Sequence, residues 1–310
     1  MRIDMNTNII EFPNLGLGPW NVNKYAIEIG SFHIAWYGII ITIGIIAAVL
    51  YAVWRTKKSE KAFTADDVLD YALWIVVIGI LGARLYYVAM TWGGYESFLD
   101  IFAIWHGGLA IYGGLIAGGL TILVLSLYKG KNPLTFLDIV VPGVALAQAI
   151  GRWGNFMNGE AYGSILKYEF LGHEFTTSRF AGMAIKWIMT LKTTPDAIPT
   201  YAHPTFLYES LWSILGFVLL NLLYRKKKKF EGQIFFVYII WYGFGRMFIE
   251  GFRTDSLYLG NVRISQLVAM GCVIFGTLFY ALLSKRARPV IAAKQDKQEY
   301  ESLFTEKKEK

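Results

Sequence analysis

The stretch 145-ALAQAIGRWGNFMNGEAYG-163 decides how the chain is read. It begins as apolar helix and then places Gln148, Arg152, Asn155, Asn158 and Glu160 within thirteen residues. An arginine and a run of amides are costly at the end of an apolar helix, and ionisable groups in a membrane span mark functional sites by default. On a helix Gln148, Arg152 and Asn155 share one face, because neighbours three and four apart align. Gly151 and Gly154 allow a second helix or a lipid headgroup to come close. Asn158 and Glu160 follow at the membrane surface. One permanent cation with a fork of donors, two amides and a carboxylate suit a phosphate ester and its hydroxyls. The same set also reads as a polar knot that ties helices together.

Working outward, the 310 residues are 55% hydrophobic and 17% charged, where soluble domains carry about 25% charged residues. Aromatics reach 16%, the profile of a polytopic membrane protein with interfacial aromatic belts. The formal charge is +7, but the basic residues fall in short runs between apolar stretches. That points to an anionic lipid surface and away from nucleic acid. The lone Cys272 allows neither an intrachain disulfide nor a cysteine metal site and reads as inert core. No His, Asp or Glu spacing calls for a metal. The first long apolar run starts near residue 33 without a basic segment beside it, so no cleavable leader is expected.

About 20 apolar residues span a bilayer. Seven runs qualify, near 33–54, 67–90, 107–128, 134–157, 204–224, 232–251 and 263–284. Thr64 to Asp67 is an N-cap signal for the second, and Pro142 lies inside the fourth. The fold expected is an all-α integral membrane protein of seven transmembrane helices. Residues 1–32 form an arm, 33–157 the first four spans, 158–203 a cap segment between helices 4 and 5, 204–284 the last three spans and 285–310 a solvated charged tail. The alternate segments that begin after the first span hold 19 of the 30 lysines and arginines, and the opposite set holds 7. This bias puts the N-terminus outside, the C-terminus in the cytoplasm and the cap on the outer face. No internal repeat of the transporter kind is evident.

A second polar stripe lies in 242-YGFGRMFIEGFR-253. Tyr242, Arg246, Glu250 and Arg253 recur at helical steps of four, four and three, near the same end as Arg152. Two arginine-bearing helices that end on one side are placed to clamp one phosphodiester, although Arg246 and Glu250 also suit mutual neutralisation. Between the two stretches, 105-WHGGLAIYGGLIAGG-119 has glycine pairs for tight packing or backbone donors, with His106 and Tyr112 as proton-transfer candidates. In 203-HPTFLYES-210, His203 and Glu209 stand at the mouth of the fifth helix, with Pro204 in its first turn. Tyr37 in 36-WYG-38 lies near the outer surface, and Arg84 reads as a buried ion-pair partner.

These residues carry a resemblance. The segment 151-GRWGNFMNGE-160 resembles the signature of the bacterial prolipoprotein diacylglyceryl transferases, with 36-WYG-38, 107-GGLAIYGG-114, 203-HPTFLYE-209 and 242-YGFGRMFIEGFR-253 in the family's order. The resemblance implies a seven-helix inner-membrane enzyme without a cofactor. Such enzymes move the diacylglyceryl group of phosphatidylglycerol onto the lipobox cysteine of a preprolipoprotein, forming a thioether and glycerol phosphate. It implies that Arg152 and Arg246 contact the phosphate and that Asn155, Asn158, Glu160, Glu250, Tyr37 and Glu209 support them. Some members carry a histidine cast as the base where this chain has Tyr112, a side chain with an ordinary pKa of about 10. The site expected therefore has Arg152, Arg246, Tyr112, Glu160 and Glu250 as catalytic groups, with the base left among the last three or dispensed with. Tyr37, Gln148, Asn155, Asn158, His203, Glu209, Tyr242 and Arg253 are expected to bind substrate. The competing reading is a non-enzymatic phospholipid binder or transporter with a two-arginine anion site.

Overall fold

Apolar runs of bilayer length become helices because a segment without water must satisfy its own backbone. The computed structural model describes residues 7–30, 32–58, 62–92, 98–102, 107–165, 167–176, 188–192, 198, 200–225 and 228–306, with side chains to residue 287. His106, most of 195–199 and the lysines at 226 and 227 lie outside the described residues. Among the described residues, seven helices are long and apolar enough to cross a membrane. They are α1 (Trp36–Lys58), α2 (Ala65–Met90), α3 (Ile111–Tyr128), α4 (Pro133–Asn158), α5 (Thr205–Arg225), α6 (Gln233–Ile249) and α7 (Ile264–Glu306). Half of the α4 span is buried, against 11% for α1 and α7.

Three boundaries differ from the sequence reading. Residues 107–110 are irregular before α3, because Gly107 and Gly108 take positive φ, which a helix does not use. Residues Phe32–Ala35 form a strand before α1. The backbone of α7 stays helical to Glu306, past the expected end of the seventh span, since its alanines, lysines, glutamines and glutamates are good helix formers.

The chain forms two compact units, Val49–Val140 and a second made of Met1–Ala48 with Val141–Lys310. The first has a core of Ala52, Phe63, Val68, Tyr71, Phe136 and Ile139. Thr64 caps α2 in a reciprocal box with Asp67, as its spacing predicts. Asp67 is also ion-paired with Lys129 at 3.2 Å and with Lys131. Gly82 and Gly113 let α2 and α3 touch: a Cβ on Gly113 would stand 2.3 Å from the Gly82 carbonyl. Arg84 is held by backbone carbonyls. It donates to those of Asp100 (2.6 Å), Ile101 (2.7 Å), Gly107 (2.8 Å) and Gly108 (3.0 Å).

The second unit adds β-structure to the helical plan. A five-stranded antiparallel sheet runs β2-β1-β8-β9-β5, from β1 (Thr7–Phe12), β2 (Leu17–Asn23), β5 (Gly163–Ser164), β8 (Met189–Lys192) and β9 (Thr200–His203). The expected arm and cap thus share one sheet, with Ile10 paired to Trp20 on one side and Leu191 on the other. Its apolar face, with Ile10, Phe12, Val22, Met189, Leu191 and Ala202, packs on Phe206. Three hairpins complete the unit: β3–β4 (Tyr25–Ile29, Phe32–Ala35), β6–β7 (Lys167–Phe170, His173–Thr176) and β10–β11 (Tyr258–Leu259, Val262–Arg263).

Helices α5 and α6 are locked by two indoles. Trp212 and Trp241 stack at 4.0 Å, and each donates its ring N–H to the other's backbone carbonyl at 3.0 Å. Gly245 and Gly216 make room for them, since a Cβ at Gly245 would stand 2.1 Å from Trp212 Nε1. Gly245→Leu should therefore cost about 1–3 kcal/mol by overpacking and lower the melting temperature in detergent. Gly271→Ala, with nothing within 4 Å of the added carbon, should leave it unchanged. Equal melting of the two variants would remove the indole lock as a source of stability.

Candidate active site

The end of α4 sets the first part of the site. Gly159 adopts φ +64°, its N–H donates to the Phe156 carbonyl, and the Glu160 N–H reaches back to the Asn155 carbonyl, each at 3.1 Å. This pair of bonds is the Schellman stop, which needs a residue tolerant of the left-handed conformation. It folds Glu160 over the last turn, where its carboxylate accepts from Asn155 and Asn158 amides at 3.1 Å each. Asn8 of β1 donates to the Asn158 carbonyl at 3.1 Å, tying the sheet to the helix end. Tyr37 lies against Gly154, where a Cβ would stand 2.7 Å from its ring.

Glu209 in the first turns of α5 is the hub. Arg152 Nη2 stands 2.5 Å from its Oε2. Arg246 Nη1 donates to both of its oxygens at 3.1 Å, and Arg253 Nη1 donates to Oε1 at 3.3 Å. Arg246 Nη2 is also 2.7 Å from Glu250 Oε2, so the expected neutralisation does occur, but within a larger network. Glu209 is 7% exposed and Glu250 1%. Three half-buried guanidiniums thus surround two buried carboxylates. Arg152 donates on to Asn155 at 3.3 Å, which joins the cluster to the Glu160 turn.

A second layer fixes the turn Glu250–Phe252 that follows α6. Arg263 donates to the carbonyls of Glu250 (2.8 Å) and Arg253, to Ser256 Oγ (2.7 Å) and to Glu169 (2.9 Å). Ser256 in turn donates to Glu250 Oε1 at 2.7 Å. Gln266, fully buried, bridges the carbonyls of Glu169 and Met247. Burial works to raise the Glu169 carboxyl, but the Tyr258 hydroxyl and the Arg263 guanidinium outweigh it and hold the pKa below the usual carboxylate range. At the rim Arg253 grips Asp255 through Nε (3.0 Å) and Nη2 (2.8 Å). Burial opposes both charges there; the mutual bonds prevail, raising the pKa of Arg253 and lowering that of Asp255.

The structure therefore gathers Arg152, Arg246, Arg253, Glu209, Glu250, Asn155, Asn158 and Glu160, with Tyr37 and Tyr242 within electrostatic reach of the arginines. Gln148 bonds the Tyr238 hydroxyl instead, one turn back along α4. His203 ends β9, packs on Phe252 at 4.9 Å and keeps Nδ1 3.1 Å from the Tyr208 hydroxyl. Burial pushes its imidazole pKa down. Tyr112 and Arg84 belong to the other unit. Arg263, Glu169, Ser256 and Gln266 escaped the sequence reading. The one signal was a fourth arginine at the end of an apolar run.

The family model of the prolipoprotein diacylglyceryl transferases matches residues 24–282. The chain belongs to this family. It is 43% identical over 264 residues to the phosphatidylglycerol–prolipoprotein diacylglyceryl transferase of Streptococcus uberis, covering 84% of this chain and 95% of that one. The Streptococcus mutans protein of the same name is 42% identical over 270 residues, with the same coverage. That of Streptococcus agalactiae is 43% identical over 257 residues, 82% of this chain and 93% of that one.

Breaking a buried ion pair by removing one partner costs about 3–5 kcal/mol, because the remaining charge is left uncompensated. Glu209→Gln should lower the melting temperature, and glycerol phosphate should raise it more in the variant than in the wild type. Thermal shift of both proteins, with and without glycerol phosphate, checks this. An unaltered melting point would show that the guanidiniums do not depend on Glu209.

Proposed function

We propose that Arg152, Arg246 and Arg253, gathered on Glu209, form the phosphate grip of the transferase site. The protein transfers the diacylglyceryl group of phosphatidylglycerol to the prolipoprotein cysteine. What supports the grip is convergence: guanidiniums from three chain segments, Arg152, Arg246 and Arg253, meet on the single buried carboxylate of Glu209. The anionic oxygens of a phosphodiester are acceptors suited to such forks of donors. In the reaction the thiolate sulfur attacks the glycerol carbon bonded to the phosphate oxygen. The C–S bond forms, the C–O pair moves to that oxygen, and glycerol phosphate leaves with a second negative charge. The grip therefore strengthens as the bond breaks, which is the condition for lowering a barrier. Guanidiniums fixed by Glu209, Glu250 and Asn155 supply this field without reorganising.

The thiol must lose its proton, since the thiolate is the nucleophile. Glu160 is the acceptor in this reading. It is exposed at the end of α4 and oriented by two amides, whereas Glu250 is buried against Arg246 and Ser256. The membrane is the bacterial inner membrane. The sheet and the arginine cluster face the outer leaflet, as the lysine and arginine bias directs. Residues 1–32 and 158–203 are then outer-face segments, and 285–310 lies in the cytoplasm. Those who favour a transport or binding protein would need the same grip without a thiol substrate.

Arg246→Lys keeps a charge but loses the fork that spans Glu209 and Glu250. It should fold normally and lose tenfold or more in transfer, the scale of about 1.5–3 kcal/mol for a charged hydrogen bond. Mass gain of a lipobox-cysteine peptide incubated with phosphatidylglycerol measures it, and wild-type transfer by this variant would sink the phosphate grip. For the base, Glu160→Gln should lower kcat, while Tyr112→Phe keeps it. The reverse pattern gives the proton to Tyr112.

A further inference from the structure

A cavity of about 660 Å³ lies at the sheet-side ends of the spans. Its walls include Leu17 and Trp20 of β2, Trp36 at the start of α1, Trp153 and Phe156 in the last turns of α4, and Phe206 in the first turn of α5. Asn21 and Asn23 are the polar side chains in its lining, and no charged residue lines it. The volume falls in the range of about 300–1,000 Å³ common for ligand sites. Two of its walls stand on the helices that carry the arginine cluster. Trp153 follows Arg152 on α4, and Phe206 lies three residues before Glu209 on α5.

We propose that this cavity, with the adjoining edge of β2, receives the apolar residues of the prolipoprotein signal segment next to its reacting cysteine. The proposal rests on the transferase reading. Two apolar groups accompany that reaction, the acyl chains of the lipid and the signal segment. Position separates them. Acyl chains run from the headgroup toward the bilayer centre, along the spans. This cavity is built where α1, α4 and α5 begin or end, and one wall is the sheet. A peptide whose thiol reaches the headgroup phosphate crosses that level. The backbone supplies the second argument. β2 is the terminal strand of its sheet, and no described strand pairs with its outer edge. Extended peptides add to such edges through main-chain hydrogen bonds, and neighbouring pockets select their side chains. Here strand edge and pocket share Leu17, Trp20 and Asn21. The uncharged lining accepts the apolar part of a signal segment and rejects its basic start.

The experiment uses the full chain in detergent with phosphatidylglycerol and a signal peptide that carries the cysteine. Wild-type transfer is measured first, and its absence is a failure of the transferase reading alone. Leu17→Trp fills the cavity and Trp20→Ala removes a wall. Each should raise KM for the peptide by about tenfold, the scale of losing one buried apolar side chain, and keep KM for phosphatidylglycerol within about twofold. A rise confined to the phosphatidylglycerol KM assigns the cavity to an acyl chain and overturns the proposal, as does any pattern that spares the peptide KM. A readout independent of variant folding is a photoreactive residue placed beside the peptide's cysteine. Wild-type adducts should map to 17–23 or 153–157, and adducts confined to other segments overturn it.

Discussion

One buried carboxylate carries the architecture of the site. Glu209 takes guanidiniums from α4, from α6 and from the turn beyond α6, so four chain segments meet on two oxygens. None of these charges is tolerable alone at the end of a membrane span. Each is affordable only with the others in place, and this ties the three helix ends to one geometry.

The rest of the second unit restrains this cluster from behind. The Schellman stop of α4 turns Glu160 back toward Asn155, and Asn8 holds that stop from the sheet. Arg263 binds two carbonyls and a hydroxyl of the 250–256 turn, so the segment bearing Glu250 and Arg253 is fixed through its backbone. Reacting groups held by such supporting bonds keep their alignment as charge moves between atoms. Arg263 thus acts on the site without touching Glu209, through the path its main chain must take.

What could be read from sequence follows from what leaves a periodic or costly trace. Apolar runs of bilayer length and the lysine bias leave such traces, and all seven spans appear within a few residues of their expected ends. Arg152, Arg246 and Arg253 were legible because a charge in an apolar run is expensive. Glu209 was legible as a residue but not as a hub, since its role depends on three segments converging. The sheet was hidden for another reason. Its strands are two to seven residues long and come from segments far apart, so no local pattern announces them. Arg263 was hidden because its partners, two carbonyls, a hydroxyl and a carboxylate from a distant hairpin, leave no local pattern. Gly107 and Gly108 were read as helix because their composition is apolar, while their left-handed backbone breaks it.

The pairing of Ile10 with Leu191 carries a consequence for how the protein is made. Helices α1 to α4 lie between these two residues in the chain. During synthesis β1 emerges early and stays without its β8 partner until four spans have left the ribosome. Contacts of such wide sequence separation close late. The bond from Asn8 to the end of α4 shares this delay in part, since Asn158 also follows four helices. A nascent chain therefore holds its first four spans, Arg152 among them, before its sheet can close, whereas Arg246 and Arg253 follow the last strand of that sheet.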